Sequence, residues 1–295
     1  METNTNHQHL LQYYEAFETL LEKSRQIGEF RTHFGIMDDA AEDYCFFKAI
    51  ARPDVYQEMT KAAQLAMDKL HVEIFGKEER KNCNILDIGF GSGGTIKRLA
   101  EQWPESVVEG INLNPAQYKI ANNYLSKNSN VWLHFGDVLQ YDFKEKYNLV
   151  YFIESAFHIL NKNALVAKLN QICAENGEVY IIDIFYTEPL WKRVEKAQKN
   201  EDEIFDYLSI NAWKDLFNPY DFEFTGFDDL TKPVSKHITV NTPVETFIDE
   251  FLTPLHQGTQ HTERLIEAHQ GYSKLQKLLQ KEMLLYGILR FKRKG

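Results

Sequence analysis

Cysteine is scarce. The 295 residues include Cys45, Cys83 and Cys173, an odd number, far apart and without a CxxC pair. That pattern argues against a disulfide framework and against a cysteine-built zinc site; it fits a reducing, cytoplasmic setting. Positive charge is in deficit: 33 Lys and Arg stand against 43 Asp and Glu, a formal net charge of −10. Non-specific nucleic-acid binding needs a basic footprint, so no nucleic-acid partner is expected. The basic tail Arg290-Phe291-Lys292-Arg293-Lys294 is too short to reverse the balance. No stretch approaches the roughly 18 apolar residues of a membrane span. The opening METNTNHQHLLQYYEAF lacks the basic-then-apolar order of a secretory signal. Repeats and low-complexity tracts are missing. The histidines His7, His9, His256, His261 and His269 are dispersed on polar stretches, and no metal is expected.

Aromatics, by contrast, are plentiful: 20 Phe, 15 Tyr and 4 Trp, 13% of the chain. Such a surplus either builds core or lines a pocket for an apolar ligand. Its densest parts are Tyr44 to Phe47, Phe185 to Trp191 and Phe217 to Phe227. Residues 8–27 carry Leu10, Leu11, Tyr14, Phe17, Leu20 and Leu21 at helical spacing. A second helix is expected from Pro53, a good first-turn residue, with the stripe Val55, Met59, Ala62, Ala66 and Leu70, before a polar connection at Lys77 to Lys81. From residue 84 short buried-strand runs (84–88, 107–113, 131–135, 147–153, 178–185) alternate with helix patterns (96–102, 115–125, 162–174). That alternation predicts an α/β fold, a parallel sheet wound by right-handed crossovers. Residues 186–217 turn polar and helical, with Ser209 as an N-cap. A strand at 222–227, a helical insertion over roughly 243–282 and a closing strand at 284–291 complete the plan.

Asp87-Ile88-Gly89-Phe90-Gly91-Ser92-Gly93-Gly94 sits where the first strand ends and a helix begins. Open α/β sheets bind ligands at such strand ends, and glycine lets backbone approach a ligand closely. Gly89, Gly91 and Gly94 also satisfy the dinucleotide fingerprint GxGxxG. Two details weigh against a nicotinamide dinucleotide. Asp87 would repel a pyrophosphate, and the second strand ends Gly110-Ile111-Asn112-Leu113-Asn114, without the acid that holds ribose hydroxyls.

On these residues the chain resembles the class I S-adenosylmethionine-dependent methyltransferases. DIGFGSGG is similar to their first motif. GINLNPAQ (Gly110 to Gln117) is similar to the second-strand motif of the small-molecule branch, which includes natural-product sugar O-methyltransferases, tocopherol methyltransferases and cyclopropane synthases. Gly136-Asp137-Val138 resembles the adenine-contacting turn. Glu154-Ser155-Ala156-Phe157-His158 resembles the ExxxH segment after the fourth strand, and Glu175 to Glu178 with Ile181-Ile182-Asp183 the turn into the fifth. His33-Phe34-Gly35-Ile36-Met37 is similar to the stretch that folds over the cofactor. Two departures stand out: Asn112 where many members have an acid, and Phe90 between the glycines. An amide can still bond both ribose hydroxyls.

The resemblance implies a Rossmann-like, seven-stranded, mostly parallel sheet with an antiparallel last strand. It implies an N-terminal helical cover (1–80) and a core (81–295) with helical cap insertions at about 186–217 and 232–282. The implied cofactor is S-adenosyl-L-methionine, with S-adenosyl-L-homocysteine as product. Asp87, Gly89 and Gly91, with Gly93 of the same loop, would frame its methionine part. Asn112 and Gln117 would face the ribose, Asp137 and Val138 would meet the adenine, and Glu154 would lie close by.

Methyl transfer from a sulfonium is an in-line displacement. The protein aligns the nucleophile, excludes water and, where needed, removes a proton. The catalytic candidates are His158, Asp183 and Glu154. His158 suits proton abstraction at neutral pH, or it packs under the insertion. Asp183 lies near the acceptor in the sugar branch, or it anchors a loop. Glu154 acts as a base, stabilises a developing cation, or caps a turn. Tyr14, Phe34, Phe185, Tyr186 and Trp191 are candidates for the substrate-pocket wall, with Tyr13 and Phe217 beside them. The expected activity is methyl transfer (EC 2.1.1) to a small, hydrophobic or aromatic metabolite at O, N or C; a homodimer is compatible with the long insertion. One alternative is C-methylation of an isoprenyl diphosphate or alkene through a carbocation, for which Arg31, Lys48 and Arg52 are nearby in sequence. Another is a cofactor-binding relative that catalyses cyclisation.

Overall fold

The computed structural model describes residues 5–38, 44–51, 53–76, 80–195, 204–253 and 259–295; Arg52, Lys77 to Glu79 and Asn200 to Glu203 fall outside them. Helix α1 (Thr5–Gln26) opens the chain, followed by the short α2 (Phe46–Ala51) and by α3 (Pro53–Phe75), which starts at the expected proline. The alternating part runs β1 (Asn84–Ile88), α4 (Gly94–Gln102), β2 (Val107–Asn112), α5 (Pro115–Tyr124), β3 (Val131–Phe135), β4 (Tyr147–Ile153), α6 (Lys162–Ile172) and β5 (Cys173–Tyr186). Then come α7 (Glu188–Val194), α8 (Ile210–Phe217), β6 (Phe222–Asp229), α9 (Thr231–His237), α10 (Val244–Phe247), α11 (Thr259–Gln280) and β7 (Leu284–Arg293). A 3₁₀ turn at Ala156–His158 follows β4, and a π turn at Ile248–Leu252 follows α10.

The strands form one seven-stranded sheet in the order β3-β2-β1-β4-β5-β7-β6. Neighbours among β1 to β5 are parallel, and β7 runs antiparallel to both β5 and β6. Local chemistry starts the helices. Asn114 caps α5 by accepting from the Ala116 and Gln117 N–H groups, with Pro115 in the first turn. Asn161 and Ser209 do the same for α6 and α8.

Alternation along the strands divides the core between two faces. Ile85, Tyr151, Ile182, Ile184 and Ile288 pack under α3, α4, α9 and α11 through Met67, Leu99, Val234 and Leu279. Leu86, Val150, Phe152, Ile181 and Leu289 pack under α6 and α8 through Leu165, Leu169, Trp213 and Phe217. A third cluster of Phe17, Phe47, Phe247 and Leu265 joins α1 and α2 to α10 and α11, so the first helices and the late insertion pack as one cover.

Three details differ from the sequence expectation. β5 begins at Cys173, because its pairing with β4 shifts register between Tyr147 and Leu149 and the expected turn at Glu175 to Gly177 becomes a bulge, with Asn176 at φ 58°. Helix α6 therefore stops two residues early. The short helices α2 and α9 form where tertiary packing of Phe47 and Val234, not periodicity, stabilises them.

Gly287 lies mid-β7, and a Cβ there would meet the Asp228 carbonyl oxygen and two Phe227 ring atoms at 2.5 and 2.6 Å. Backbone on that side cannot yield without breaking the β6–β7 ladder. Gly287→Ala is expected to cost about 1–3 kcal/mol in urea unfolding; an unchanged midpoint would contradict this packing.

Candidate active site

The carboxyl ends of β1, β2, β4 and β5 open onto a cavity of about 1250 Å³. That exceeds the roughly 300–1,000 Å³ of a site for one small ligand. At one end lies the glycine loop. Gly89 and Gly91 adopt φ of 90° and 54°, conformations that favour glycine. A Cβ at Gly89 would meet the Ser155 side chain, and one at Gly91 the Thr32 hydroxyl. Gly93, at φ 87°, does not line the cavity: it is the N-cap of α4 and packs against Ala121 and Leu125 at the end of α5.

Asp87 is buried behind this loop. Its Oδ2 accepts from the Tyr151 hydroxyl at 2.9 Å, whereas Oδ1 has no partner among the described residues. Burial raises its pKa to about 7. It borders a separate cavity of about 20 Å³ beside Gly89, roofed by Thr32 and His33, enough for about one water. Asn112 and Gln117 meet at 3.0 Å on the wall of the large cavity, Nδ2 of the first donating to Oε1 of the second. Asp137 and Val138 line it as well, and the Asp137 carboxylate accepts from the Leu139 N–H at 2.9 Å.

Residues 29–37 form a strap over the glycine loop. Arg31 pairs with Glu29 and with Asp68 of α3. The Gln64 side chain donates to the His33 carbonyl, and the Gly35 N–H donates to His237 Nδ1 at 3.1 Å. The Phe34 N–H donates to Glu154 Oε1 at 2.7 Å, and the Tyr286 hydroxyl of β7 donates to the same oxygen at 2.7 Å. Glu154 ends β4 at φ 51°, an uncommon conformation for a residue with a side chain. Desolvation lifts its pKa to about 7, against the lowering effect of nearby His33 and of its two hydrogen bonds.

His158 lies further along the cavity wall. Its Nδ1 is 2.7 Å from the Ile204 carbonyl, which can only accept, so Nδ1 carries the hydrogen. In the neutral ring Nε2 then accepts from the Tyr14 hydroxyl of α1, at 2.9 Å. Burial holds the His158 pKa down at about 3 and pushes the Tyr14 hydroxyl up. Around this pair the wall is aromatic: Tyr13, Phe17, Phe34, Phe46, Tyr186, Phe205, Tyr207 and Tyr272.

Strand parity moves two of the expected residues, Asp183 and Phe185, off the cavity wall. Ile184 and Tyr186 of β5 face the cavity; Asp183 and Phe185 alternate to the opposite face. Asp183 there accepts from the Phe157 N–H at 3.2 Å and the Ile184 N–H at 2.8 Å, and anchors the 3₁₀ turn. Phe185 sits in the core against Phe227. Trp191 packs behind Tyr186, its ring 6.1 Å away, and does not reach the cavity. Phe217 is likewise core, stacked on Phe291. Arg31 is occupied by Glu29 and Asp68 and does not line the large cavity. Arg52 and the Lys48 side chain lie outside what is described. Thr32, Phe205, Tyr207, Tyr272 and Tyr286 are not marked out by the sequence, where four of them show only aromatic type and Thr32 no signal at all.

A family described as methyltransferase domain matches residues 85–177, from β1 into β5. Residues 85–177 of the chain are thus similar to a methyltransferase domain. Beyond that domain the likeness thins. Tocopherol O-methyltransferase of Arabidopsis thaliana is 30% identical over 130 residues, 41% of this chain and 37% of that protein. Ajmaline N-methyltransferase of Rauvolfia serpentina is 26% identical over 141 residues, 46% of this chain and 48% of that protein. The chain thus spans less than half the length of these curated relatives. Among solved structures, the O-methyltransferase from a trans-AT PKS multienzyme of Brevibacillus brevis, in complex with S-adenosyl-L-homocysteine, superposes with a TM-score of 0.73. It is 17% identical, over 90% of this chain and 85% of that one, and shares the fold. Residues of this segment offer the cofactor partners: Gly89 and Gly91 present backbone to the cavity, Asn112 and Gln117 stand on its wall, and Asp87 keeps an unpartnered oxygen behind the loop. Among the described residues no helix is long and apolar enough to cross a membrane.

The Glu154 carboxyl carries a sign that stability measurements can read. Its raised pKa means the folded protein binds a proton that the unfolded chain loses near pH 4–5. Stability from this group is therefore greatest below that range and falls as pH rises to about 7. Glu154→Gln keeps an acceptor for Phe34 and Tyr286 and removes the charge. It is expected to flatten the decline between pH 5 and 8 by on the order of 1–3 kcal/mol; urea unfolding that shows wild type and variant falling in parallel would contradict the assignment.

Proposed function

We propose that this chain transfers the methyl group of S-adenosylmethionine to a small, largely apolar metabolite bound in the same cavity. The observation that carries the reading is the continuity of the cavity from the glycine loop to an aromatic wall, with a histidine–tyrosine pair at the junction. When bound, the cofactor supplies an electrophilic methyl group on a sulfonium. Asp87, Gly89 and Gly91 would hold its methionine part, Asn112 and Gln117 its ribose, and Asp137 and Val138 its adenine. Thr32 and Phe34 of the strap, which line the cavity beside the glycine loop, would cover it and exclude water.

The acceptor would lie against Tyr13, Tyr14, Phe17, Tyr186, Phe205, Tyr207 and Tyr272. The Lys and Arg side chains on the described cavity wall are Arg264 and Lys274, both on α11. The apolar wall therefore favours an uncharged or aromatic molecule over a diphosphate. For a hydroxyl acceptor, the proton leaves the oxygen as the methyl arrives. It passes to the Tyr14 oxygen while the Tyr14 proton passes to His158 Nε2. A histidine of low basicity suffices, because a methylated oxonium is a far stronger acid than imidazolium.

The test is transfer of labelled methyl from S-adenosylmethionine to a panel of phenols, alcohols and amines. Label in an organic-soluble small molecule supports the reading. Label in protein or RNA contradicts it, and tight cofactor binding without transfer to any acceptor points to cyclisation. For a hydroxyl acceptor, His158→Ala and Tyr14→Phe are expected to lower kcat about 10²-fold, the weaker end for general bases, with KM for the cofactor unchanged. Undiminished turnover of His158→Ala removes it from the proton path and leaves a nucleophile without a proton, such as a tertiary amine.

A further inference from the structure

We propose that His33, Asp68 and His71 form a site for one divalent transition-metal ion of zinc type, fastening the strap to α3. All three are buried, at 6%, 2% and 0% exposure, and their ligand atoms lie within 4.8 Å of one another. The hydrogen-bond chemistry singles the place out. His33 Nδ1 is 2.7 Å from the Phe34 carbonyl, so that nitrogen carries the hydrogen. In the neutral ring the lone pair is on Nε2, and Nε2 faces Asp68 Oδ1 at 3.2 Å. Two acceptors at that distance repel unless a proton, which makes the pair an ion pair, or a metal cation lies between them. Zinc, with bonds of about 2.0–2.1 Å to nitrogen and oxygen, sets tetrahedral neighbours about 3.3 Å apart.

His71 supplies an independent observation. It follows Asp68 by three residues, on the same face of α3. Neither of its ring nitrogens has a hydrogen-bond partner among the described residues, although the side chain is fully buried against Phe75. A proton shared by His33 and Asp68 would explain their approach and leave His71 orphaned; an ion explains all three. Outer contacts of the kind metal ligands need are present. The Phe34 carbonyl orients His33, and Arg31 Nη1 holds Asp68 Oδ2 at 3.2 Å. Two imidazoles and one carboxylate suit zinc better than magnesium or calcium. Thr95, whose Oγ1 is 3.4 Å from Asp68 Oδ1, or a water would take the fourth position.

Sequence spacing hides the site, since one ligand comes from the strap and two from a helix 35 residues on. The ion would pin His33, and with it the Phe34 N–H that reaches Glu154, over the glycine loop. The test uses the full chain, stripped by a chelator and dialysed against zinc or cobalt. Expected are about one zinc per chain by mass spectrometry, a Tm that rises with zinc concentration, and visible cobalt bands of tetrahedral intensity. His71→Phe, which keeps the stack on Phe75, and Asp68→Asn are expected to weaken zinc binding by roughly tenfold or more, whereas His269→Phe retains it. A wild-type protein that melts cooperatively but takes up no stoichiometric zinc or cobalt overturns the site. Zinc that persists in both variants places the ion elsewhere and overturns it equally.

Discussion

The arrangement depends on one carboxylate. Glu154 stands at the end of β4 in a left-handed conformation, and its Oε1 accepts from both the strap at Phe34 and the last strand at Tyr286. Three segments distant in sequence are thereby fixed to one oxygen. The cost is visible in the same place, because a carboxyl out of water resists ionisation and its pKa climbs to about 7. Holding such a group out of water is unfavourable for stability and useful for function. It leaves a negative charge, or a protonated acid, facing a cavity where a cationic ligand would restore the balance.

Around that point the cavity has two chemically different ends. The glycine-loop end is built from backbone, amides and carboxylates: Gly89, Gly91, Asn112, Gln117 and Asp137. The far end is built from rings carried by α1, the segment before α8, and α11. The cover has a cluster of its own at Phe17, Phe47, Phe247 and Leu265, and the end of α11 ties it to the sheet through Leu279. The Tyr14–His158 contact links the ends: a residue of the cover completes the hydrogen bonding of a residue of the core.

Much of this was legible where information is local. A strand ending in glycines, an asparagine cap before proline, and a Glu and a His placed just past a strand each declare their geometry within a few residues. Asp87, Asn112, Asp137, Glu154 and His158 accordingly stand at the expected strand ends. What depends on register was not legible. Asp183 and Phe185 differ from Tyr186 by parity alone, and parity is set by how β5 pairs with β4 and β7, through a bulge that the sequence does not announce. Tyr286 reaches Glu154 because β7 is antiparallel beside β5, a pairing made across a hundred residues. The aromatic surplus divides in the same way: Trp191 and Phe217 are packing, whereas Phe205, Tyr207 and Tyr272 line the cavity.

The central claim is that the glycine loop, with Asp87 behind it and Asn112 beside it, holds S-adenosylmethionine and not a nicotinamide dinucleotide. Titration calorimetry of the full chain with S-adenosyl-L-homocysteine and, separately, with NADH tests it most directly. The account predicts one S-adenosyl-L-homocysteine per chain and no heat from NADH. Saturable NADH binding with none for S-adenosyl-L-homocysteine would contradict it.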